Sequence, residues 1–123
     1  MAGAGGLLPQ GLRDRLLGEA AAQARTVRAL LDSIEARGYD RVAPPLVEYE
    51  ETLAARLKSS RHELARFVDP LSQRTLAIRP DITPQIARIV STQLADVPRP
   101  LRLAYAGPVL KLGATQLNPQ REA

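Results

Sequence analysis

The run Leu76-Ala-Ile-Arg-Pro-Asp-Ile-Thr-Pro-Gln-Ile-Ala-Arg88 constrains this chain more than any other stretch, because a strand, a charged turn and a helix start follow one another within thirteen residues. Leu76, Ala77 and Ile78 are strand-like, and Arg79 and Asp81 set opposite charges on either side of Pro80. Thr83-Pro84 reads as a helix start: Thr can cap, and Pro suits the first helical position, where the N–H has no intrahelical partner anyway. A charged pair between a buried strand and a helix N-terminus suits a zwitterionic small molecule. Asp81 would take its ammonium, and Arg79 or the helix N-terminus its carboxylate. A plain strand-to-helix turn closed by its own salt bridge accounts for the same residues.

Around this run the pattern alternates between helical and extended periods. Ala20, Ala24, Val27, Leu31 and Ile34 recur at steps of four and three, which predicts a helix from about Arg15 to Arg37 with one apolar stripe, stopped by Gly38. Tyr39 to Glu48 reads as extended chain, but Pro44 and Pro45 lack the donors a central strand needs and suit an irregular crossing. A short helix over Glu50–Leu57 and a polar loop over Lys58–Leu64 come next. Arg66–Asp69 and Arg74–Arg79 then form a hairpin through Pro70-Leu-Ser-Gln73. After Thr83 a helix runs to about Leu94, Val97-Pro-Arg-Pro100 breaks it, and strands are expected over Leu101–Ala106 and from Val109 to Leu112. The tail from Thr115 to Ala123 is polar. This order predicts an α+β fold with antiparallel pairing and helices on one face, over residues 7–123, after a flexible lead at residues 1–6.

Composition excludes several chemistries. The 123 residues contain no Cys and a single His, His62, so disulfides, thiolate catalysis and multi-His metal sites are ruled out within them. His62 lies in a polar loop and is expected at the surface. Seventeen basic and thirteen acidic residues leave a net charge of +4 that is scattered rather than striped, so no nucleic-acid surface is indicated. Aromatic residues are only 3%, so the core must come from Leu, Ile, Val and Ala. No stretch approaches the length of a transmembrane helix, and the N-terminal residues lack a signal peptide's basic start and apolar run. A cytoplasmic location is the default expectation.

The succession of motifs resembles a known family. Leu7-Leu-Pro-Gln-Gly11 with Asp14, the long helix ending in Gly38-Tyr39, and Val42-Ala-Pro-Pro-Leu46 are similar to the start of histidyl-tRNA synthetase-like proteins. Gly38–Leu46 resembles motif 1 of class II aminoacyl-tRNA synthetases. Leu76–Thr83 resembles the family's histidine-contacting strand and loop, and Leu103-Ala-Tyr-Ala-Gly-Pro-Val-Leu110 the first part of motif 2. Glu50-Glu-Thr-Leu53, Val68-Asp-Pro-Leu-Ser-Gln-Arg74, Asp81–Arg88 and Tyr105-Ala-Gly107 resemble one branch in particular, the regulatory subunits of ATP phosphoribosyltransferase, which do not aminoacylate. The resemblance implies the N-terminal part of a class II synthetase-like core, with motif 1 and the start of motif 2. It also implies that further sheet strands and motif 3 would follow, so the chain is expected to be a fragment or a truncated product with open strand edges and an exposed apolar face.

The resemblance further implies no catalysis, no cofactor and no metal. A short-form catalytic subunit of ATP phosphoribosyltransferase is the implied partner, histidine the ligand and the motif 1 region a homodimer contact, with tRNA binding not expected. The implied histidine-binding residues are Asp81, Thr83, Arg79, Tyr105 and Arg121. Asp81 would receive the α-ammonium, with capping the following helix or pairing with Arg79 as its plain alternative, while Thr83 contacts the same group or caps the helix. Arg79 is expected to brace the loop more than touch ligand. Tyr105 lines the site or packs with its hydroxyl satisfied, and Arg121 falls near a loop that closes over the amino acid, at an end expected to be disordered. A working class II enzyme carries an Arg in motif 2 that grips the ATP α-phosphate and a Glu two residues on. Here Lys111 and Gly113 stand instead, so the bidentate fork and the acid are both lost. The rivals to a regulatory role are a histidine–tRNA ligase and a bare dimerisation module.

Overall fold

The computed structural model describes residues 8–57, 64–112 and 120–123. The expectations for the lead at residues 1–6, for most of the 58–64 loop with His62, and for Gly113 and the start of the tail lie outside them. Among the described residues eight elements follow in order: α1 (Leu17–Glu35), β1 (Asp40–Arg41), β2 (Val47–Tyr49), α2 (Glu50–Ala55), β3 (Ala65–Val68), β4 (Thr75–Ile78), α3 (Thr83–Ser91) and β5 (Leu103–Ala104).

The sheet at the centre has the order β2-β4-β3, and both of its pairings are antiparallel. Val47 faces Ile78 across β2–β4, and Val68 faces Thr75 across the hairpin. β4 is therefore central, which explains why its residues are the most apolar of the three strands. Ala77 is completely buried and shares a core with Leu53 of α2 and with Leu64, flanked by Ala54 and Leu57. A residue as small as Ala at the middle of β4 lets α2 sit close against the sheet.

One pairing departs from the all-antiparallel expectation. β1 and β5 run parallel, with Asp40 opposite Leu103 and Arg41 opposite Ala104. The long connection between them contains the other sheet and α3, and a connection of that length permits parallel pairing. A further departure lies at the C-terminal end. Val109 and Ala123 exchange both backbone bonds at 2.7 and 3.0 Å, and Lys111 N–H donates to Arg121 O at 2.7 Å. Residues 109–111 thus pair antiparallel with 121–123, where a disordered end was expected.

α1 ends where Gly38 takes φ +90, a conformation that favours glycine. Its apolar stripe is not covered by the described residues: no residue of α1 is buried, although Leu31 and Ile34 are half-buried. Ala20, Ala24, Val27 and Leu31 line an open groove of about 470 Å³, rimmed by Arg15, Gln23, Arg28 and Arg41.

The hairpin turn is built by one carboxylate. Asp69 accepts from Leu71 N–H at 3.1 Å and from Ser72 Oγ at 2.7 Å, and Gln73 closes the turn with φ +62. The Ser72 hydroxyl, then the Leu71 amide, hold the Asp69 carboxyl below its ordinary range. A depressed folded pKa gives stabilisation that is present above the unfolded value and lost as pH falls through the folded one. Asp69→Ala is therefore expected to lower the urea midpoint at neutral pH. The gap from the parent protein should close as pH approaches about 2, below the usual Asp range. A gap independent of pH would show that the charge of Asp69 has no part in the turn.

Candidate functional site

The site grows from the end of β4. As the chain leaves Ile78, Arg79 N–H donates to Leu46 O at 3.1 Å and Leu110 N–H donates to Arg79 O at 3.0 Å, so this residue is stitched between two neighbouring segments. Its side chain is buried, at 5% exposure. Nε donates to Pro108 O at 2.8 Å, and Nη1 to Pro44 O at 3.1 Å, Pro45 O at 3.4 Å and Gln85 Oε1 at 3.3 Å. All four partners are neutral oxygens, and the loss of water pushes the guanidinium pKa down from its ordinary value. Arg remains charged even so. Gln85, with 1% exposure, carries the network onward: its Nε2 donates to Pro45 O and to Glu48 Oε2, both at 2.6 Å. Glu48 in turn pairs with Arg88, whose Nε lies 2.8 Å from Oε1 without the angle of a hydrogen bond, while Nη2 donates to Oε2 at 3.3 Å.

Beyond Pro80 the chain emerges at the surface. Asp81 is exposed and its Oδ1 accepts from Thr83 N–H at 3.0 Å. This bond matches the plain alternative for Asp81 and corrects the capping role expected of Thr83. Asp81, and not Thr83, satisfies the first free amide of α3, and Ile82 before Thr83 is already helical at φ −83 and ψ −29. Thr83 turns its hydroxyl instead to the Tyr105 hydroxyl, 3.0 Å away. Asp81, Thr83 and Tyr105 are thus brought together, as the pattern of residues 76–88 and 103–110 implied.

Asp81 and Tyr105 border a cleft of about 800 Å³, while Thr83 reaches Tyr105 without lining it. One wall is Pro80, Asp81 and Ile82, the other Tyr105 to Val109 with Lys111. The open side is framed by Arg15, Gln23, Val27 and Leu31 and by Glu122 and Ala123. Arg15 and Glu122 pair across it at 3.2 Å, with the Arg15 side chain only 21% exposed. Among the described residues Arg79 and Arg121 do not line this cleft. Arg79 is spent beneath the wall, and Arg121 donates from Nε to Lys111 O and from Nη1 to Gln10 O, each at 3.0 Å, while its own N–H donates to Gly11 O at 2.8 Å. Arg121 therefore braces the N-terminal entry against the 109–111 segment and is neither disordered nor a cover for the cleft.

Three contributors were not foreseen from sequence. Gln23 and Arg15 sit on or before a helix whose polar residues read as solvated, and Glu122 lies in a tail without periodicity. Gln85 did carry a signal: a polar residue beside Ile86 on the apolar side of α3 must find buried partners.

A mostly antiparallel sheet with α2 against it, the Pro44-Pro45 crossing and a ligand-sized cleft between the loop after β4 and the segment after β5 define a class II aminoacyl-tRNA synthetase-like core. Residues 11–123 match the histidyl-tRNA synthetase family, and the chain belongs to it. The ATP phosphoribosyltransferase regulatory subunit of Paramagnetospirillum magneticum is 47% identical over 117 residues, covering 94% of this chain and 31% of the relative. That of Gluconobacter oxydans is 47% identical over 121 residues, covering 95% and 30%. The solved ATP phosphoribosyltransferase regulatory subunit/histidyl-tRNA synthetase from Bacillus halodurans superposes with a TM-score of 0.78 at 32% identity, over 99% of this chain and 31% of that one. The chain thus spans about a third of the length of the curated relatives it matches.

The contact between Asp81 and the start of α3 has a readout in stability. Asp81→Ala removes the acceptor from Thr83 N–H and is expected to cost about 1 kcal/mol, whereas Asp81→Asn keeps an acceptor and should stay within about 0.5 kcal/mol of the parent. Urea unfolding followed by circular dichroism measures both, and an equal loss in the two variants would contradict the capping role.

Proposed function

We propose that the protein is a non-catalytic regulatory subunit of ATP phosphoribosyltransferase that binds histidine in the cleft between Asp81 and Tyr105. It activates a short-form catalytic subunit, in the first step of histidine biosynthesis, within a cytoplasmic hetero-oligomer. The observation that carries this reading is the uneven equipment of the cleft. It keeps an exposed carboxylate, Asp81, placed to hold an ammonium next to the hydroxyls of Thr83 and Tyr105. Where synthetases carry a phosphate-gripping Arg, the same cleft presents Lys111, a point charge without a planar fork. Such a site can hold an amino acid without activating it. The names of the relatives support the same conclusion.

In this reading Asp81 pairs with the α-ammonium, and Thr83 and Tyr105 supply neutral hydrogen bonds beside it. Arg79 and Arg121 act behind the walls and make no direct contact with histidine. Neither a metal nor a cofactor takes part. The region from Gly38 to Leu46, with the open stripe of α1, serves as the homodimer contact. Histidine inhibits because it binds one state of the complex better than the other; equal affinity for both would shift nothing.

The test mixes the full-length protein with a short-form catalytic subunit and follows phosphoribosyl-ATP formation. The rate is expected only with both proteins present, and histidine is expected to suppress it. Asp81→Asn should leave activation intact and weaken inhibition on the order of tenfold to a hundredfold, the effect of losing one charge-assisted bond. A rate indifferent to this protein would defeat the proposal. Formation of histidyl-tRNA by the protein alone would establish the ligase reading in its place.

A further inference from the structure

Arg79 holds both walls of the cleft without entering it, and the sequence explains why a single residue can. Proline has no N–H, so the Pro44-Pro45 crossing and the turn at Pro108 cannot join a ladder through their own donors there, yet their carbonyls still need partners where they are buried. The Arg79 guanidinium supplies donors to all three carbonyls from one planar fork. Its backbone ties Leu46 and Leu110 to the same point. Asp81 stands two residues further on, and Tyr105 three residues before Pro108.

The opposing surface is made to fit this group. A side chain at Gly107 would place its Cβ 2.3 Å from Arg79 Nη2 and 3.4 Å from Cζ. The backbone of Gly107 lies outside the left-handed region, so the need for glycine there is one of space, not of backbone conformation.

We propose that Arg79 is a positioning residue that sets the distance between the Asp81 wall and the Tyr105–Pro108 wall, and that Gly107 is its required counterpart, open so that the guanidinium can reach Pro108 O. Together the two residues fix the width of the cleft for an α-amino acid headgroup. The ligand part of this inference rests on the histidine-binding reading; the wall-spacing part does not.

The experiment compares the full-length protein with Gly107→Ala, Arg79→Met and the double variant, using two readouts. Calorimetric titration with L-histidine measures binding. Amide hydrogen exchange at Leu110, bonded to Arg79 O, and at Thr83, bonded to Asp81, measures wall geometry. Gly107→Ala is expected to lower histidine affinity on the order of tenfold, as when a charge-assisted bond loses its geometry. It should speed exchange at Leu110 and Thr83 while leaving Ala77 in β4 unchanged. Once Arg79 is replaced, adding Gly107→Ala should cost nothing more, because the residue it collides with has gone. Parent-like binding and exchange in Gly107→Ala would overturn the proposal, and so would losses that multiply in the double variant. If the parent protein takes up no histidine, the functional reading fails, and the exchange pattern alone decides the spacing claim. If Arg79→Met does not fold, Gly107→Ala alone decides it.

Discussion

A buried guanidinium surrounded by neutral oxygens is the constraint on which this structure turns. Taking Arg79 out of water is costly, and the cost is met only if its donors are matched with good geometry. Here they are matched by carbonyls of segments far apart in sequence, the 44–46 crossing and the 107–110 segment, together with Gln85 at the start of α3. Gln85 then recruits Glu48, and Glu48 recruits Arg88. The network adds to a small apolar core: among the described residues Leu53, Leu64 and Ala77, flanked by Ala54 and Leu57, form the buried cluster at the central sheet. Such a network specifies one arrangement sharply, since any slip leaves a buried polar group unpaired.

That arrangement puts function at its edge. Arg79 and Gln85 at its centre are buried, whereas Asp81, two residues after Arg79, and Tyr105, three before Pro108, line the cleft. Under the proposed function, a carboxylate kept in the cleft with the nucleotide-gripping arginine replaced is what a sensor derived from an enzyme would retain. Binding energy that a synthetase would direct to activating its amino acid would then shift an equilibrium between assemblies.

Much of this was legible in the residues themselves. Gly38 marked the end of α1, Pro70-Leu-Ser-Gln73 marked the hairpin, and Thr83-Pro84 marked the start of α3 to within one residue, Thr83 being its first helical residue and not the cap. The grouping of Asp81, Thr83 and Tyr105 was implied by the family resemblance of the stretches that hold them, not by their own pattern. What could not be read depended on partners distant in the chain. Thr83 looks like a cap locally, but the Tyr105 hydroxyl claims its side chain and leaves capping to Asp81. Arg121 looks like part of a frayed tail until Gln10, Gly11 and Lys111 are seen to hold it. The parallel β1–β5 pair joins two short segments whose local patterns say nothing about direction. The α1 stripe was legible as a stripe, but periodicity does not say what covers it.

The most direct measurement of the central claim is a crystal structure of the full-length protein grown with L-histidine. The account predicts the amino acid between the Pro80–Ile82 and Tyr105–Val109 walls, its α-ammonium within hydrogen-bond distance of the Asp81 carboxylate and Arg79 still buried on Pro44 and Pro108. Histidine bound with its ammonium on a different carboxylate, or a cleft left empty at saturating histidine, would contradict it.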